Sequence, residues 1–288
     1  MKPVSIALCL LLGSALPAAA ITVTTDAGAG PESITAAPDG GLILGSATKP
    51  IIYRAAKGET MAKPWINVSA DGNVTFLGVL ADAASNTLYA CELGPRTQPG
   101  QPAPSSLLTF DLTTGAAKTR WKLPGDSSVC NDIAIGPDHA AYVSDTGNNA
   151  IFRVAPGASE GALLTNARSL AGIDGLAFLD GVLYANSVFT QTLWRIPIGA
   201  DGKAANPVNI WTDAPLKGPD GMRSANGKLF IAENGHGLAS MITITGDTGH
   251  VTVVKDGLKT PTAIEPAGDI LWVGDRPADN ATSIPMPK

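Results

Sequence analysis

An all-β ring of four-stranded antiparallel blades around a central channel, a six-bladed β-propeller, is the fold predicted by three observations. A two-strand pattern returns six times along the chain. Its copies are evenly spaced, with 43 residues from Asn131 to Asp174, 46 from Asp174 to Asp220 and 42 from Asp220 to Thr262, close to the period of about 45 residues that one blade occupies. The composition agrees: 32 Gly and 22 Pro in 288 residues, with 16% charged, suit many short strands joined by tight turns.

The first twenty residues, MKPVSIALCLLLGSALPAAA, begin with Lys2 and end in Ala18-Ala19-Ala20. The apolar stretch between is too short to span a bilayer, which is the pattern of a secretory signal peptide. The expectation is a signal over 1–20 and one propeller domain over 21–288, secreted or periplasmic, with no membrane anchor. ITVTTD (21–26) is expected to be the outermost strand of the last blade, closing the ring so that no sheet edge is left to aggregate.

The six copies are PESITAAPDGGLILGS (31–46), VTFLGVLADAASNTLYACE (74–92), CNDIAIGPDHAAYVSD (130–145), IDGLAFLDGVLYAN (173–186), PDGMRSANGKLFIAEN (219–234) and PTAIEPAGDILWVGD (261–275). In each, a short apolar strand meets a turn rich in Asp, Gly, Asn or Pro, and a second strand follows, which marks a hairpin. Further strand-like runs such as IFRVAP with GALLTN, and MITITGD with HVTVVKD, supply the outer two strands. Trp194, Trp211 and Trp272 lie in such runs and are expected to pack between blades.

In a blade of this kind the first strand lies nearest the axis and the second returns antiparallel. The residue heading the first strand and the residue ending the second therefore share one face. Glu32, Asn131, Asp174 and Asp220 head four different first strands and are expected to converge at one mouth of the channel. Asp145, Asn186, Glu233 and Asp275 end second strands and are expected to ring that mouth further out. A single Asp or Asn in such a place reads as a turn cap; four at matched positions read as a shared site. Carboxylates brought together need a shared proton or a cation. Oxygen donors with no Cys or His among them point to calcium or magnesium before zinc.

The blade heads resemble the senescence marker protein/gluconolactonase/luciferin-regenerating enzyme family of six-bladed propellers. GPES is similar to that family's Glu-bearing first-blade motif, at Glu32. CNDIAIGPDHAAYVSD resembles its Asn-Asp-Gly segment, at Asn131, and PDGM its Pro-Asp-Gly motif, at Asp220. The resemblance implies a divalent cation, calcium first with zinc or magnesium as alternatives, held by Glu32, Asp174 and Asp220. It implies hydrolysis of a sugar lactone or related ester, with Asp220 as general base and Asn131 contacting substrate. Where the family usually has Pro-Asn-Gly, this chain has Ile173-Asp174-Gly175, which keeps an oxygen ligand and adds a negative charge. Glu233 and His236, in ENGHGLAS (233–240), join Asn131 as expected substrate-binding residues, and the 94–106 loop is expected to shape the pocket beside them. A non-catalytic ligand-binding propeller and a metal-free enzyme resembling strictosidine synthase remain alternatives.

Other signals carry less. Net charge is −5 and no Lys/Arg cluster stands out, which argues against nucleic acid as a partner. A small-molecule substrate is expected, and no obligate protein partner is evident. Once Cys9 leaves with the signal, Cys91 and Cys130 remain in an oxidising compartment, on the site face of adjacent blades, and are expected to form a disulfide. GASEG (157–161) matches the nucleophile-elbow pattern but lies between outer strands with no helix after it. Sequons at Asn67, Asn73 and Asn280 matter only in a eukaryotic secretory pathway.

Overall fold

The computed structural model describes residues 20–69, 74–94 and 104–287. The expected signal segment (apart from residue 20), the sequon at Asn73 and most of the 94–106 loop lie outside the described residues.

The chain is all-β and propeller-like. β1 (Thr22–Thr24) stands apart at the start. The first unit is β2 (Pro31–Ala36), β3 (Leu42–Ser46), β4 (Ile51–Ala55) and β5 (Lys63–Asn67). The second is β6 (Thr75–Asp82), β7 (Thr87–Leu93), β8 (Ser105–Asp111) and β9 (Ala117–Lys122). The third is β10 (Cys130–Ile135), β11 (Ala141–Asp145), β12 (Ala150–Val154) and β13 (Ala162–Asn166). The fourth and fifth are β14 (Ile173–Leu179), β15 (Val182–Ser187), β16 (Thr192–Ile196) and β17 (Val208–Thr212), then β18 (Pro219–Ala225), β19 (Lys228–Glu233), β20 (Leu238–Thr245) and β21 (Thr248–Lys255). β22 (Pro261–Ala267), β23 (Ile270–Asp275) and β24 (Asn280–Pro285) complete the chain.

Strand order within each unit follows the chain, and β1 adds antiparallel to β24, with Val23 opposite Ala281. The expected closure of the last sheet by the N-terminal strand is therefore present. The innermost strands β2, β6, β10, β14, β18 and β22 touch one another in that cycle and back to β2, which sets them around an axis. The expectation of six separate blades meets one difference. β17 pairs parallel with β21 at Trp211–Thr248 and Thr212–Gly249, so the fourth and fifth units are one eight-stranded sheet.

Burial falls from axis to rim. All five residues of β3 (LILGS) and of β11 (AYVSD) are buried, because a neighbouring unit covers each face. The outermost β9 (AKTRWK) is almost wholly exposed. Apolar clusters fill the spaces between adjacent units: Ile43 and Ile52 of the first pack with Phe76, Val79 and Leu88 of the second, for example. Each such side chain contributes roughly 1.5–3 kcal/mol on leaving water. Trp272 is buried and Trp194 half-buried, but Trp211 is 72% exposed, because its strand lies at the rim. Trp65 lies on β5 with the Arg54 guanidinium 4.6 Å above its ring. Cys91 on β7 and Cys130 on β10 form a disulfide that joins the second unit to the third.

Candidate functional site

Why a carboxylate or amide heads an otherwise buried strand has a local answer. Every innermost strand carries a register irregularity at its head: between Pro31 and Ser33, Phe76 and Val79, Cys130 and Ile133, Ile173 and Leu176, Pro219 and Met222, and Pro261 and Ala263. A bulge frees its residue from the ladder and re-aims it. Glu32, Asn131, Asp174 and Asp220 all fall in these bulges and so leave the plane of their sheets. The glycine that follows two of them has a separate cause. A Cβ on Gly175 would lie 2.5 Å from the Asp220 carbonyl oxygen, and one on Gly221 would lie 2.5 Å from that of Thr262. Asp-Gly is needed because the next unit's backbone passes against it.

Asp174 and Asp220, each 6% exposed, are in hydrogen-bond contact with one another. Asn186 locks their strands together, accepting from the Gly175 amide at 3.0 Å and donating to the Asp220 carbonyl at 2.6 Å. The Asn131 amide donates to Asp174 Oδ2 at 3.0 Å and to Thr146 Oγ1 at 2.9 Å; Thr146 in turn donates to the Ile173 carbonyl. On the other side Asn234 Nδ2 donates to Asp220 Oδ2 at 2.6 Å. Burial first, then the charges of Glu32 and Asp132, pushes Asp174 up to about 8. Burial and then Asp174 raise Asp220 well above the usual carboxylate range. The cause is general: two carboxyls in contact out of water cannot both ionise.

Glu32 bears on both acids through its charge, but its carboxylate is bonded elsewhere. Its Oε2 accepts from Arg276 Nη1 at 2.8 Å, an ion pair between the first unit and the turn after β23. Among the described residues, no three His, Cys, Asp or Glu side chains are grouped so as to hold a metal ion. Asp174 and Asp220 suit a hard cation, which would relieve their repulsion. Glu32, turned to Arg276, is not grouped with them in this arrangement.

The residues that end second strands do a different task. Asp145 Oδ1 accepts from the Val129 amide at 2.8 Å, and Asp275 accepts from the Lys259 and Thr260 amides at 2.9 Å each. Glu233, 1% exposed, accepts from the Lys217 amide at 2.6 Å and from the Ser240 hydroxyl. Ser46 and Ser187 donate to the carbonyls of Ala29 and Ala171. Each clasps the loop that leads into its own unit's first strand. Glu233 thus has both carboxylate oxygens engaged by its own chain, while His236 is exposed in the turn beyond Asn234.

One group of residues was missed in the sequence. Arg223, on β18 and 9% exposed, donates from Nη1 to both oxygens of Asp132 at 3.0 Å and from Nε to Glu265 Oε2 at 3.3 Å. Its Nη2 reaches the Val79 carbonyl at 3.2 Å. Asp132 also accepts from the Leu176 amide, and Glu265 from the Ala36 amide. These bonds tie all six innermost strands together across the axis. Arg223 also lines a cavity of about 230 Å³ with Ile135, Phe178 and Ser224. A signal was present: Arg223 and Glu265 stand three residues after Asp220 and Thr262, opposite charges at matched places in successive units.

No protein-family model and no curated protein sequence matches the chain. Solved structures of similar shape exist. A gluconolactonase from Xanthomonas campestris is 16% identical with a TM-score of 0.69, over 94% of this chain and 91% of that one. Virginiamycin B lyase from Staphylococcus aureus is 14% identical with a TM-score of 0.64, over 93% and 99%. A PQQ-bound aldose sugar dehydrogenase from Streptomyces coelicolor is 17% identical with a TM-score of 0.61, over 94% and 99%. At these identities the likeness establishes the propeller-like fold alone. The resemblance drawn from the blade heads is met in a coarser form, a gluconolactonase standing among the structural neighbours.

Proposed function

We propose that the protein is an exported hydrolase that opens a sugar lactone or a related small ester at the mouth of its channel. The observation that carries this reading is the Asp174–Asp220 pair, two buried carboxyls in contact at the heads of adjacent units and flanked by the amides of Asn131 and Asn234. A gluconolactonase of similar fold supports the substrate class.

With one proton between them, the pair keeps one negative charge. Asp220 accepts a proton from the water that attacks the carbonyl carbon. When the ring C–O bond breaks, a proton returned from the pair neutralises the departing alkoxide, giving a hydroxy acid. Asn131, on the rim of the pair, orients the substrate by hydrogen bonds. A divalent cation, calcium first, belongs to the proposal: Asp174 and Asp220 would hold it, joined by Glu32 on release from Arg276. Such an ion supplies carbonyl polarisation. The Arg276–Glu32 ion pair favours a second reading, a metal-free propeller enzyme or ligand-binding protein.

Proton release from glucono-δ-lactone and from short aryl esters tests the proposal, with calcium or with chelator. Turnover above the spontaneous rate is expected, lost in Asp220→Asn while the circular dichroism spectrum is kept. No turnover of any lactone or ester at saturating calcium would sink it. Cation-independent turnover would establish the metal-free form.

A further inference from the structure

Around Arg276, the partner of Glu32, lies a cavity of about 450 Å³ lined by Gly28, Gly30, Thr48, Thr260, Arg276 and Asp279, among others. Its volume falls in the range of small-molecule sites. Three features of its construction point to one kind of ligand.

The first is the guanidinium. Arg276 has five N–H donors in a fork that matches a carboxylate. Its side chain is 45% exposed, and Glu32 takes one bond from Nη1. The second is how the arginine is held. Asp275, just before it, is clamped by two backbone amides, and the Arg276 amide donates to the Thr260 carbonyl at 3.2 Å. Its stem lies over Gly30, where a Cβ would stand 3.4 Å from Arg276 Cγ. The third is a wall whose acid is turned to the backbone. Asp279, the acid of this cavity, spends its oxygens on the amides of Gly28 at 2.7 Å and Gly30 at 2.8 Å. Small residues and the hydroxyls of Thr48 and Thr260 make up much of the rest.

Glu32, Asp174 and Asp220 would repel an anion arriving at this mouth, and Arg276 is the cation that touches this acid cluster through Glu32. We infer that Arg276 and this cavity form a carboxylate-recognition subsite for a polyhydroxylated monocarboxylic acid. That is the acid formed when a sugar lactone opens, so the inference rests on the proposed reading of the substrate class. Arg276 binds the carboxylate, and the threonine hydroxyls and backbone of the cavity wall meet the hydroxyls.

Binding of gluconate and of the neutral polyol glucitol to the full chain is measured by calorimetry at matched ionic strength, with potassium acetate as the simple-anion control. Gluconate is expected to bind saturably and more tightly than acetate or glucitol. Its Kd is expected to rise at least tenfold in Arg276→Gln and less in Arg276→Lys, with glucitol unaffected. Thr48→Leu, which narrows the cavity and leaves the arginine, is expected to weaken gluconate as well, and serves should the arginine variants not fold. Equal gluconate affinity in wild type and Arg276→Gln, or no gluconate binding to wild type, would overturn the inference. Lactone turnover with Arg276-independent gluconate binding would reject the subsite and keep the hydrolase. Arg276-dependent binding without turnover of any lactone or ester would do the reverse.

Discussion

Arg223→Met removes the one positive charge from a network of two buried carboxylates. Asp132 loses both bonds from Nη1 and Glu265 loses its bond from Nε, while methionine still fills much of the space. Breaking a buried ion pair from one side costs about 3–5 kcal/mol, because the partners stay buried without compensation. For 288 residues, unfolding entropy at the usual per-residue value makes each kcal/mol worth roughly 2 °C in Tm, so a fall of about 6–10 °C is expected. The loss should also depend on pH. Burial already raises Glu265 above the ordinary carboxylate range with Arg223 alongside. Without the guanidinium, Glu265 escapes most of the penalty at low pH by taking up a proton. Thermal unfolding at pH 5 and pH 8 should therefore show the larger loss at pH 8. The triple variant Arg223→Met, Asp132→Asn, Glu265→Gln should recover much of it. A Tm for Arg223→Met within a degree of wild type at pH 8 would refute the account of the axis.

Three further outcomes follow from the same geometry. Gly175→Ala places a methyl 2.5 Å from the Asp220 carbonyl oxygen and should destabilise by about 1–3 kcal/mol through overpacking, read from urea midpoints; an unchanged midpoint would mean that the heads are not in contact. In chelator, the folded protein keeps a carboxyl proton on the Asp174–Asp220 pair that the unfolded chain has lost above its ordinary carboxylate pKa. Stability should then fall as pH rises from about 4 toward the raised value of about 8 for Asp174, by up to about 1.4 kcal/mol per pH unit for one proton. Asp174→Asn should flatten that profile, and a wild-type profile rising through the window would contradict the pairing. Replacing Cys91 and Cys130 by serine opens a loop with a sequence separation of 39 and should cost about 4 kcal/mol on chain-entropy grounds. Equal urea midpoints for the oxidised protein and the double-serine variant would argue against the bond.

What the sequence determined by itself was the repeated hairpin, the closing N-terminal strand and the four polar heads. Each rests on local rules: short apolar strands, turn residues, and a polar residue at the strand head that recurs with the period of the chain. The disulfide was legible for a related reason, since strand order alone puts Cys91 and Cys130 on adjacent units. What only the tertiary structure decided was the partner each head would find. Asp174 meets Asp220 because Gly175 and Asn186 let two neighbouring strands close together. Glu32 is taken by Arg276, 244 positions away, and no local pattern encodes that meeting. Glu233 was expected beside a substrate, yet its position at a strand end makes it a clasp for the loop at Lys217. The axial network of Arg223, Asp132 and Glu265 exists because ring closure brings the innermost strands around one axis. A buried charge is tolerated there only when its counter-charges arrive from strands distant in the chain, and that arrival is a property of the closed ring.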